Sequence, residues 1–263
     1  DCDNGNSYLV EETQTMKFQG TAMMAAVFLS LGLYYFFVDL PAGQKEEAEK
    51  ERSEKILPLE VEQVLEFSLT GTGDPIALKR KAPHSWKLIR PLSASGDSAE
   101  VETFLSEIEN LKKTRVVEEN PNDLSIYGLG APLLKIHFKF ENKKEETLLF
   151  GDESPMGGNL YIKRESHPAV MMAPASRSQF EKSVYNFRDK TLLNFSTGTI
   201  KHIQIISEKK NLELKKKGEV WEISGDVDAQ GDKDAIMNFL QSIQFSRVRE
   251  FVDENPDSLE PYG

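Results

Sequence analysis

Cysteine is nearly missing: Cys2 is the only one among 263 residues. A single thiol excludes an intrachain disulfide and a thiolate metal cluster. Histidine is scarce too. His84, His137, His167 and His202 show neither a His-x-x-x-His nor a Glu-x-x-His spacing, so contiguous sequence holds no metal site. There is no Gly-x-Ser-x-Gly elbow, no phosphate-binding glycine loop and no cysteine nucleophile in the body of the chain. Positive charge is also in deficit, with a formal net charge of −11. Backbone phosphates demand clustered cations, so this balance argues against a nucleic-acid binder. The basic runs Lys79-Arg80-Lys81 and Lys215-Lys216-Lys217 lack interleaved aromatics and read as solvated strand ends. Carboxylates are plentiful, but spacing alone cannot pair them into acid and base roles. No catalytic, cofactor-binding or metal-binding residue is assigned from these patterns.

What is present begins with a long apolar run. Residues 20–38 carry no charge and end in Tyr34, Tyr35, Phe36 and Phe37. As a helix they would span roughly 28 Å, the thickness of a bilayer's hydrocarbon core, with aromatics where the polar interface should lie. A buried core helix is rarely apolar on all sides, and the run is long for a cleaved signal sequence. The reading is a single-pass anchor in which residues 18–38 contact membrane lipid. Lys17 lies before it and Lys45, Lys50, Arg52 and Lys55 after it, so charge alone does not decide the orientation. Nine of the eleven residues 45–55 are charged, with Glu46 and Glu51 each four before a lysine, as in an exposed helix or stalk.

The remainder matches itself at an offset of 135 residues. Trp86 aligns with Trp221, Phe104 with Phe239, Asn120-Pro121 with Asn255-Pro256, Leu124 with Leu259, and Tyr127-Gly128 with Tyr262-Gly263. Fourteen of 43 aligned positions are identical without a gap, the mark of an internal repeat. Within the first copy, strand patterns at 76–81 and 86–89 precede a helix whose Val101, Phe104, Leu105, Ile108 and Leu111 share one face. Ile236, Phe239, Leu240 and Ile243 repeat the stripe. Asp97 and Asp232 fall where carboxylates cap helices. In Asn-Pro-x-x-Leu-x-x-Tyr-Gly, Asn120 is expected to cap a short helix, Pro121 to take its first position, and Gly128 to close it in the left-handed region.

Residues 134–140 alternate, with Leu134, Ile136, Phe138 and Phe140 on one side of a strand and Lys135, His137 and Lys139 on the solvated other. Further strands are expected at 147–150, 160–163 and 170–173, and a helix at 176–189. The fold class read from the sequence is α+β: an N-terminal transmembrane helix, then duplicated units of antiparallel sheet with packed amphipathic helices, the second unit truncated. The boundaries are 1–16 for a leader or upstream segment, 17–40 for the anchor, 41–60 for the charged spacer, 61–197 for the first unit and 198–263 for the partial second. A complete second unit would need roughly 60–70 further residues by this offset.

Three patterns imitate sites. Asp226-x-Asp228-x-Gln230-Gly231 opens like a calcium loop, but its twelfth position is Met237 where a bidentate Glu is required, so it reads as a polar turn. Residues 151–158, rich in Gly, read as a hairpin connection. Trp86, Trp221, Tyr127 and Tyr262 could form a binding platform, yet their equivalent places in an apolar repeat favour core packing.

The apolar start, the Trp-bearing strand before an amphipathic helix, the motif from Asp123 through Leu124, Tyr127, Gly128 and Gly130 to Pro132, the strand ending Phe150-Gly151, the Tyr161 strand, and Phe187-Arg188-Asp189-Lys190 before Leu192-Leu193 together resemble the bacterial domain-of-unknown-function 4340 family. That resemblance offers no catalytic residues to carry over. It implies a single-pass inner-membrane protein facing the periplasm, an accessory or binding module with ABC-type transporter components as partners and no cofactor. The alternative is an envelope hydrolase or glycan-processing enzyme whose carboxylates converge between the units; a glycan or lipid binder would need an open aromatic groove.

Overall fold

The computed structural model describes residues 18–71, 73–207 and 210–262. The chain separates into a unit ending at Pro58 and another from Leu59 to Gly263. In the first, α1 (Phe18–Tyr34) passes through a π turn (Tyr35–Asp39) into α2 (Leu40–Glu54). The sequence supplies a cause for the π turn. Proline at position 41 has no N–H to donate to the carbonyl four residues back; the helix widens by one residue just before it, with the Leu40 N–H donating to the Tyr35 carbonyl. Met23–Glu54 is long and apolar enough to cross a membrane by length and composition. Phe28, Leu29, Phe36 and Phe37 on it are exposed, an arrangement unfavourable in water.

The second unit runs β1 (Val64–Thr70), β2 (Ile76–Ala82), β3 (Ser85–Arg90), β4 (Ala94–Ser95), α3 (Ser98–Glu109), β5 (Arg115–Glu118), a 3₁₀ turn (Ser125–Tyr127), β6 (Leu134–Phe140), β7 (Glu145–Glu153), β8 (Leu160–Arg164), β9 (Val170–Ala173), α4 (Arg177–Phe180) and α5 (Val184–Phe187). Its strands make one antiparallel sheet in the order β4-β3-β2-β1-β6-β7-β8-β9-β5. The predicted alternation of residues 134–140 is seen, with Leu134, Ile136 and Phe138 buried. Helix α3 buries Val101, Phe104, Leu105 and Ile108, and Asp97 caps it by accepting the Glu100 N–H. At the centre Phe67 meets Trp86, Phe104, Phe138 and Phe187 with ring centroids 5.5, 5.7, 6.4 and 5.8 Å away, mostly in the edge-on or offset arrangements aromatic quadrupoles favour.

A smaller antiparallel sheet follows: β10 (His202–Ser207), β11 (Lys210–Lys217), β12 (Val220–Gly225) and β13 (Ala229–Gly231), in that order, with α6 (Lys233–Gln244) after it. Leu214, Trp221, Ile236 and Leu240 form its core. The fold is therefore α+β with two antiparallel sheets. Elements β3 and β12, α3 and α6, and the 3₁₀ turns Ser125–Tyr127 and Glu260–Tyr262 each stand 135 residues apart at both ends.

Four expectations need correction. No helix begins at Pro121: Asn120 caps nothing, and the motif forms only the 3₁₀ turn Ser125–Tyr127, where the Asp123 carboxylate accepts the Ser125 N–H and hydroxyl. A short side chain two residues from a free N–H offers a local turn that competes with the helix; Gly128 does close the turn, at φ +67°. The helix at 176–189 is two pieces, because Ser183 bonds Asn186 through its N–H and hydroxyl and starts α5 anew. Arg80 is not a solvated strand end: its Nε and Nη2 donate to the Val64 and Val61 carbonyls, and its guanidinium lies 4.4 Å from the Trp86 ring centre. Phe239 does not repeat the burial of Phe104, being 41% exposed against 1%.

Candidate functional site

The repeated motif residues fall into two environments. Trp86 and Trp221 are buried, each beside a glycine that permits the approach: a Cβ on Gly96, just after β4, would stand 3.0 Å from the Trp86 carbonyl oxygen, and one on Gly231 of β13 3.0 Å from Trp221 Cβ. The tryptophans are core residues, so they offer no platform. Leu124 and Tyr127 are half-buried against Leu129, Leu149 and Val170, with Val117 and Tyr161. The motif after β5 thus covers the face of the first sheet remote from α3. Gly151 on β7 makes room for it, since a Cβ there would overlap the Tyr127 carbonyl oxygen. Gly151→Ala is expected to cost about 1–3 kcal/mol, the usual penalty of overpacking, measured by urea unfolding; unchanged stability would refute this account of the motif.

Tyr127 donates to Glu118 Oε2 at 2.7 Å, and that bond holds the phenol above its ordinary pKa. Tyr262 donates to Asp253 Oδ2 at 3.3 Å, and the Glu260 N–H donates to Ser258. These are the Tyr127–Glu118 and Ser125–Asp123 bonds moved by 135 residues. Here, however, Asn255, Pro256, Leu259 and Tyr262 are exposed, and the core packing expected of Tyr262 is absent. Gly263 lies outside the described residues.

A second cluster lies at the Phe187-Arg188-Asp189-Lys190 segment, which the sequence marked only as a family motif and whose contacts it did not reveal. Phe187 is buried, and its carbonyl accepts the Asp97 N–H at 2.8 Å. Lys190 Nζ donates to the carbonyls of Tyr185, Asn186 and Arg188 at 3.1, 2.9 and 3.0 Å and lies 3.4 Å from Asp97 Oδ2. Arg188 grips Glu254 through both terminal nitrogens, and its guanidinium lies 3.4 Å from the Phe251 ring centre. The Val248 N–H donates to the Lys190 carbonyl at 2.8 Å and the Tyr185 hydroxyl to the Val248 carbonyl at 3.0 Å. This segment brackets the chain after α6 to the start of α3. Its charges are engaged with one another, an arrangement suited to holding parts in place.

Other candidate chemistry resolves into local pairs. His84 faces Glu102 at 2.9 Å, His137 lies between Thr147 and Glu145, His167 accepts the Ala169 N–H, and His202 faces Glu213 at 2.8 Å. Among the described residues no three His, Cys, Asp or Glu side chains are grouped as a metal site. Asp226 accepts the Asn211 N–H at 3.1 Å and Asp232 caps α6, as a polar turn requires. Residues 154–159 connect β7 to β8 through Ser154 N–H to Asn159 O and Gly157 N–H to Ser154 O. The buried carboxylate of Glu146 accepts from Arg164 Nε and Nη2 at 3.0 and 2.8 Å, from the Ser166 hydroxyl, and from the Thr147 and Ser166 N–H groups. With its oxygens so occupied it is poorly placed for proton transfer.

A family model described as Domain of unknown function (DUF4340) matches residues 86–263. No curated protein and no solved structure matches the chain.

Proposed function

We propose, for a chain that belongs to the DUF4340 family of unknown function, that it is a periplasmic accessory module held at the bacterial inner membrane, where it binds or positions protein components of an ABC-type envelope transport system. The observation that carries the membrane part is Met23–Glu54, a helix whose apolar side chains face outward and whose later half is charged. Such a segment is at ease only where lipid replaces water around its first half. The body is read as two copies of one α+β unit, supported by the shared offset of strands, helices, caps and the tyrosine–carboxylate bonds. The transporter association and the periplasmic orientation rest on family resemblance. An envelope hydrolase would need free carboxylates facing one another, whereas Glu146, Glu118 and Asp97 are each held by neighbours.

The test is purification of the tagged protein from its native membrane in mild detergent. Transporter subunits are expected at near-equal amounts and the protein should stay in the pellet after alkaline carbonate extraction. Release into the supernatant would overturn the anchor, and purification without subunits would overturn the accessory role.

A further inference from the structure

We propose that the face of the first sheet remote from α3, over β2 and β3, docks an acidic segment of a protein partner whose carboxylates seat against Lys79 and Lys87. The inference rests on the partner-binding reading above and names the surface and the chemistry of the segment it holds.

The motif after β5 covers this face over the strands that carry Leu149, Tyr161 and Val170. Toward β2 and β3 the side chains stand in solvent: Lys79 is exposed, as is Lys135 on β6. Residues directly opposite on paired strands share a face. One row across the sheet therefore reads Lys87, Lys79, Glu66, Lys139 and Glu145, from β3 to β7. Both carboxylates of the row are already engaged. Lys139 Nζ lies 3.0 Å from Glu66 Oε1, and His137 Nε2 lies 3.3 Å from Glu145 Oε2. Lys79 and Lys87 are left opposite one another, and among the described residues neither forms an ion pair. Like charges so placed repel.

The second sheet has the same place with its charges balanced. Leu214 stands opposite Ile223 and Lys216 opposite Trp221, as Leu78 stands opposite Leu88 and Arg80 opposite Trp86. Between those pairs Lys215 faces Glu222, where the first sheet has Lys79 facing Lys87. Lys215 Nζ also lies 2.7 Å from Glu213 Oε1, and Lys217 Nζ lies 2.7 Å from Glu222 Oε2. In the first sheet Ala77 takes the place of Glu213 and Lys87 that of Glu222. The two acids that balance one sheet are thus absent from the other, and the comparison uses only strands that both sheets contain. In a chain of net charge −11, such an unbalanced pair is complementary to carboxylates brought from outside. An anionic bilayer would set negative charge over Glu66 and Glu145 as well, whereas a protein segment can place its acids at the two lysines alone.

The test replaces Ile89, exposed in the bulge beside Lys87, by benzoylphenylalanine in the full chain in its native membrane, and identifies the peptide captured on irradiation by mass spectrometry. The expected product is one protein segment rich in Asp and Glu. Lys79→Glu with Lys87→Glu should lower its yield about tenfold, and replacing the captured acids by lysine should restore it. Lys217→Glu on the second sheet should leave the yield unchanged. Lys79→Gln with Lys87→Gln should melt no lower than the parent, because it removes a repulsion, and should still lose the product. Capture of lipid, of a segment without acids or of nothing would overturn the proposal, as would a yield indifferent to the charge reversal. If transporter subunits co-purify with the double Glu variant as they do with the parent, the docking face fails while the accessory role stands; an acidic segment captured from another protein keeps the face and removes the transporter.

Discussion

Phe104→Ala is expected to destabilise the fold by about 3–5 kcal/mol, the range for deleting a buried aromatic ring, whereas Phe239→Ala at the matching place should cost only about 1 kcal/mol, in line with its partial burial. The difference lies in what surrounds each ring. Phe104 packs against Phe67, Phe187 and Phe180 at 5.7, 5.2 and 6.5 Å, and removing it opens a void bounded by a sheet and two helices that cannot all close in. Phe239 is 41% exposed and leaves mainly a surface dent. Guanidinium unfolding of both variants, followed by tryptophan fluorescence, would measure this; equal losses would show that α6 is covered as α3 is.

Glu146→Ala is expected to cost about 1–3 kcal/mol, the range for leaving buried or half-buried polar groups without their acceptor, because it removes the oxygens that accept from Arg164 and from the Ser166 hydroxyl and N–H. The parent protein should show the same dependence as acid sensitivity. Burial alone would push the Glu146 carboxyl up, but the bonds from Ser166 and Arg164 and the charge of Arg164 outweigh it, and the group ends below its ordinary value of 4.5. A folded-state value below the unfolded one means that the unfolded chain takes up the proton first. The contribution of Glu146 is therefore complete above about pH 4.5 and is lost as pH falls through the lower folded value. Unfolding curves for the parent and Glu146→Gln between neutral pH and pH 3 should converge toward the acid end; curves that stay parallel would show that Glu146 carries no such linkage.

Much of the body was legible in the sequence, and the misses have two causes, a competing local turn and contacts from elsewhere in the chain. The strand at 134–140 and the stripe Val101, Phe104, Leu105 and Ile108 were readable because burial on one face imposes a period of two or of 3.6 on the residues themselves. Asp97 and Asp232 were readable because a cap is a contact within three residues. Asn120-Pro121 misled for a related reason: the pair is compatible with a helix start, but Asp123 made a competing turn two residues later. Arg80, Glu146 and Lys190 were opaque, since the carbonyls, hydroxyls and rings that engage them come mostly from other elements of the chain or from turns formed only on folding.

By itself the sequence determined the apolar helix, the strands around 76–81, 86–89, 134–140, 147–150, 160–163 and 170–173, the caps of α3 and α6 and the 135-residue offset, all of which depend on residues near one another or on a pattern copied along the chain. Only the tertiary structure decided that Trp86 and Trp221 are core residues, that Arg188 grips Glu254, and that β1 lies within its sheet between β2 and β6. Those outcomes depend on which distant segments meet, and the free energy of such meetings belongs to the pair of surfaces and not to either stretch of sequence alone.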